Sequence, residues 1–133
     1  MASWPKHVSS PARPLTARER EILAFLLSVD TAGIEELRQQ VDRALAVPWD
    51  CGCASIDLVV DRDTAQPSAF NGVIESHTTQ KHDPKRRLDL IVWVYDGFLS
   101  GVEIADHVEP HGKFSKVFPP ASGFDPPHVR DDV

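Results

Sequence analysis

Cysteine is scarce in this chain: Cys51 and Cys53 are the only two, and they flank Gly52. Two thiols make no disulfide framework, and a hydrophobic fraction of 41% over 133 residues supports an ordinary single-domain core without one. Long apolar runs are missing. None approaches the roughly 20 residues that span a bilayer, and no basic start leads into an apolar stretch, so a cytoplasmic protein with no membrane role is expected. Basic residues are also short, 14 Lys and Arg against 20 Asp and Glu, for a net charge of −6. Phosphate contacts need a surplus of cations on one face, so nucleic acid is not an expected partner. The imbalance belongs to the body of the chain, because residues 1–14 carry +2 and residues 119–133 carry −2. Finally, there is no glycine-rich phosphate loop, no Gly-x-Ser-x-Gly and no His-Glu-x-x-His. No catalytic residue and no cofactor follows from a motif.

Proline marks the edges of what is present. Eight of the eleven prolines fall in residues 1–14 or after Glu109, which delimits a flexible lead-in over 1–14, one domain over 15–118 and an extended tail over 119–133. Thr16-Ala17-Arg18-Glu19 is a capping box, and Ile22, Leu23, Leu26 and Val29 form the stripe of the helix it opens. A second helix is predicted over 34–46, with Ile34, Leu37, Val41, Ala44 and Leu45 on its apolar side and Pro48 ending it. Beyond it the period changes from helix to strand. Strands are predicted over 56–60, 73–78, 88–95 and 98–106, the last two joined through Asp96-Gly97, a type I′ hairpin signal. Leu99 and Val102 are both apolar but three apart, so a bulge at Ser100-Gly101 is expected to turn Leu99, Val102 and Ile104 toward the helices. The expected fold is α+β, with an N-terminal helical hairpin packed on one face of a four-stranded antiparallel sheet.

Two resemblances accompany this pattern. Residues 15–23, Leu-Thr-Ala-Arg-Glu-Arg-Glu-Ile-Leu, are similar to the opening of the helix-turn-helix domain of LuxR-type regulators. The next predicted helix carries three acids against two arginines where that family needs a basic recognition helix, and a well-capped amphipathic helix accounts for the match. A broader likeness runs over about residues 15–106. The Leu-Thr-x-Arg-Glu-Arg helix start, the Cys-Gly-Cys-x-Ser-Ile-Asp-Leu strand entry and the hairpin of Asp96, Gly97, Leu99, Ser100, Val102 and Glu103 resemble small uncharacterised actinobacterial proteins. That likeness implies the α+β fold and brings no activity with it.

Two candidate sites remain. Trp93, Tyr95 and Phe98 are expected to cluster on the sheet face away from the helices, partly covered by Phe114 or Phe118 or by the lead-in around Trp4, as an anchor for a protein partner or for self-association. The alternative centres on Cys51 and Cys53, with His77 and His82 as a second ligand pair for a metal, or with the thiols as a redox couple. Against that alternative, reduced, metal-free and buried cysteines are expected, since free cysteine behaves as a small apolar residue. The function expected from sequence is a non-catalytic interaction domain, of inhibitor or immunity type for a basic partner. A metal- or thiol-dependent protein is the other reading.

Overall fold

The computed structural model describes residues 11–50, 52–78, 88–106 and 117–130. The capping box forms as its residues require: the Thr16 hydroxyl accepts the Glu19 amide at 3.1 Å, and the Glu19 carboxylate accepts the Thr16 amide at 2.9 Å. It opens helix α1, Ala17–Leu26, whose Ile22, Leu23 and Leu26 are fully buried. Helix α2, Ile34–Val41, is only eight residues long and buries Ile34, Leu37 and Gln40.

Among the described residues, seven strands, all paired antiparallel, make one sheet: β1 (Arg13–Pro14), β2 (Ala44–Pro48), β3 (Ile56–Val60), β4 (Gly72–His77), β5 (Leu88–Tyr95), β6 (Phe98–Asp106) and β7 (His128–Val129). Their order across the sheet is β1-β2-β3-β6-β5-β4-β7. The expected four-stranded sheet with a helical hairpin is therefore corrected to a larger sheet with two short helices.

Three segments account for the difference. Residues 44–48, expected to finish the second helix, pair instead with β3 in five register steps from Ala44↔Val60 to Pro48↔Ile56. Ala44 and Ala46 are buried and Leu45 is exposed, an alternation that the helical spacing of 37, 41, 44 and 45 had concealed. Pro48 consequently ends a strand, where its missing donor costs little. Arg13–Pro14 and His128–Val129 add the two edge strands, each only two residues long and each beside proline, as edges tolerate.

The hairpin follows its sequence closely. Asp96 and Gly97 adopt φ of 57° and 83°, the positive pair of a type I′ turn. Trp93 pairs with Gly101 but Val94 with Leu99, so Ser100 is the extra residue of a bulge. Leu99, Val102 and Ile104 are all buried in the core, as the bulge was expected to arrange. Gln40, 1% exposed, ties α2 to this turn: its amide donates to the carbonyls of Gln66 and Gly97, and its carbonyl accepts the Leu99 amide, each at 2.9 Å.

One sheet face carries the core, where Leu58, Ile74, Leu90, Val92, Val102 and Ile104 meet Leu23, Leu26 and Leu37. The alternate residues point to the opposite face. Among the described residues, no helix is long and apolar enough to cross a membrane.

Candidate functional site

The opposite face has two parts. Along β5 it is buried at Asp89 and Ile91, then opens at Trp93, 39% exposed, and Tyr95, 71% exposed. Residues two apart on a strand share a face, so the two rings stand side by side. They border an open hollow of about 580 Å³, lined also by Asn71, Gly72, Val73, Val94 and Asp96. The Trp93 indole N–H donates to Glu103 on β6 at 3.3 Å, which orients the ring across the strand.

Phe98, the third expected member, is corrected. It is 7% exposed and belongs to the core cluster. The Arg62 guanidinium stands 4.6 Å from its ring centre and is itself held by Asp96 at 2.9 Å, so a cation closes over the ring. Phe118 does not cover the aromatic pair either. It is buried in the core, and its backbone carbonyl accepts from Arg18 on α1. Trp4 and Phe114 lie outside the described residues.

The second part is polar. Strand alternation puts Glu75 and His77 on the same side of β4 as Val73. Asp89 is the register partner of His77 on β5, and His128 is the register partner of Glu75 on β7. Directly opposed residues have neighbouring side chains. Asp89 hydrogen-bonds Nδ1 of His77. His128 Nε2 lies 3.3 Å from Glu75 Oε2, and the Arg130 guanidinium reaches Glu75 Oε1 at 2.5 Å and 3.1 Å. The two imidazole rings are 5.6 Å apart. The Arg130 hydrogen bonds hold the Glu75 carboxyl below its usual range against the opposing effect of burial, and the Arg130 charge and the two histidines add to the lowering. One ligand atom each from Glu75, His77 and His128 falls within 4.8 Å of the others.

The backbone explains how the chain end reaches this place. Phe124 bridges Thr78, the Asp125 amide donates to the His77 carbonyl at 2.8 Å, and the Arg130 amide donates to the Val73 carbonyl at 2.9 Å. Residues 124–130 thus run the length of β4.

Of the metal or redox candidates, His77 enters a cluster, but its companions are Glu75 and His128. Cys53 is disulfide-bonded, which corrects the expectation of a reduced thiol there. The chain's other cysteine, Cys51, lies outside the described residues, as does His82. Sequence reasoning missed Glu75, Asp89, His128 and Arg130. The one available signal was the strand spacing in Glu75-x-His77 and again in His128-x-Arg130, which only the β4–β7 pairing joins. No protein-family model, curated protein or solved structure matches this chain.

Proposed function

We propose that this protein is a non-catalytic interaction domain that holds a protein partner on the open end of its sheet. The observation that carries the proposal is the exposed pair Trp93 and Tyr95 beside a hollow floored by Val73. Aromatic rings presented rigidly on a strand bring large apolar area at little cost in side-chain entropy, and such residues dominate the energy of many interfaces. Carboxylates border the rings, Glu103 at Trp93 and Asp96 beside Tyr95, in a chain of net charge −6. The matching partner presents an apolar side chain for the hollow within a basic rim, as an inhibitor- or immunity-type pairing requires. Charge then speeds the encounter, while apolar burial supplies the affinity.

The test places a photo-reactive amino acid at Asn71, on the rim of the hollow, in the cells that make the protein. A discrete adduct that persists in about 1 M salt, where the Debye length is about 3 Å, and disappears in the Trp93→Ala and Tyr95→Ala backgrounds is expected. An adduct whose mass equals two copies identifies self-association. Adducts unaffected by both substitutions would refute the proposal.

A further inference from the structure

We propose that Glu75, His77 and His128 form a binding site for one divalent transition metal of the zinc class, clamping the C-terminal edge strand β7 onto β4. The site is separate from the aromatic hollow and does not depend on it.

The donor set comes first. Two imidazoles with one carboxylate is a ligand combination that zinc accepts and leaves a fourth position for water, whereas magnesium and calcium prefer oxygen donors throughout. Spacing comes next. Bonds of about 2.0–2.2 Å around a tetrahedral ion put neighbouring ligand atoms roughly 3.3–3.6 Å apart. His128 Nε2 and Glu75 Oε2 already stand 3.3 Å apart, and one ligand atom each from Glu75, His77 and His128 fall within 4.8 Å of one another, so a side-chain adjustment of about an ångström closes the set.

The surroundings suit ligation. Asp89, itself 6% exposed, hydrogen-bonds Nδ1 of His77 and so favours the tautomer whose lone pair is on Nε2. Arg130 engages Oε1 of Glu75, on the other oxygen from the one facing His128, and so orients that carboxylate.

A clamp also suits the topology. β7 is two residues long and is preceded by Pro126 and Pro127, neither of which donates a ladder hydrogen bond. Ligands on both strands, at the directly opposed pair Glu75↔His128, would fix that edge where the ladder is thinnest.

The experiment is calorimetric titration of the full chain, stripped with chelator and kept oxidised so that the disulfide stays closed, with zinc chloride and separately with magnesium chloride. One zinc per chain at micromolar affinity or tighter, and no magnesium binding, is expected. His128→Ala should weaken zinc at least 100-fold. His128 is half exposed, so this variant keeps the fold, which circular dichroism verifies. Asp89→Asn should weaken it about 10–100-fold, the usual cost of losing a carboxylate behind a ligating histidine. Cobalt in place of zinc should give tetrahedral visible bands with no thiolate charge-transfer band. Equal zinc affinity in wild type and His128→Ala, no stoichiometric binding at all, or a sulfur-to-cobalt band would each overturn the site. Loss of the photo-adduct in the Trp93→Ala background bears only on the partner surface.

Discussion

Glu19 shows how much a single side chain carries here. It completes the capping box of α1, and the same carboxylate receives both terminal nitrogens of Arg13 at 2.9 Å from the edge strand beneath. Burial pushes its pKa up, but the Arg13 hydrogen bonds, the Thr16 amide and hydroxyl, and the Arg13 charge together pull it below the ordinary value of 4.5. A carboxyl whose folded pKa is depressed stabilises the fold above its unfolded pKa, and that contribution disappears as pH falls through the folded value. Denaturant midpoints should therefore decline more steeply below about pH 4.5 in the wild type than in Glu19→Gln, which starts lower and loses this component of the slope. Parallel declines in the two proteins would show that Glu19 gains nothing from its partners. Gln40 is the neutral counterpart, a buried amide with two hydrogen bonds to the hairpin, at Gly97 and Leu99, and a third to Gln66 in the connection between β3 and β4.

At the scale of elements, the β5–β6 hairpin and its bulge organise the centre of the sheet. Gly97 is required twice over. Its φ of 83° is a region that side chains occupy at a cost of about 1 kcal/mol or more, and a Cβ there would lie 2.6 Å from the backbone oxygen of Ser68. The Ser68 amide also donates to the Gly97 carbonyl at 2.8 Å, so the two segments cannot separate without losing that bond. Gly97→Ala should lower the unfolding free energy by more than about 2 kcal/mol, read from urea denaturation with an unchanged m-value. A loss under about 0.5 kcal/mol would mean that the turn relaxes freely. The turn and bulge were legible because they depend on neighbours in sequence: Asp-Gly for the turn, and two apolar residues three apart for the bulge. The strand β2 was not, because Ala-Leu-Ala-Val-Pro satisfies a helical stripe and a strand alternation equally. Its pairing with β3 decides between them.

The whole molecule is a sheet with two unlike faces. One is closed by α1 and α2, and the other is closed around Asp89 and Ile91 yet open around Trp93 and Tyr95. Stability and recognition should separate accordingly. Leu90→Ala, which empties a fully buried core position, is expected to cost about 2–5 kcal/mol, whereas Trp93→Ala should change stability by under about 1 kcal/mol while abolishing the photo-adduct. Paired thermal and chemical denaturation of the two variants checks this. A large destabilisation by Trp93→Ala would make the ring a structural cover instead of a contact surface.

What the sequence by itself determined is what short-range physics governs. The start of α1 at its capping box, the antiparallel hairpin with its positive-φ turn, the bulge after it, and the sidedness of Trp93 and Tyr95 all follow from residues a few positions apart. What only the tertiary structure decided is whatever depends on which strands meet. β2 became a strand because β3 offered it five register partners, and Phe98 joined the core cluster, with the Arg62 guanidinium from a different loop over its ring. The polar cluster is the clearest case. Glu75 and His128 are 53 positions apart in sequence, and no periodicity or spacing relates them. They face each other because residues 124–130 lie along β4, and a backbone hydrogen-bonded edge imposes a register that composition does not encode.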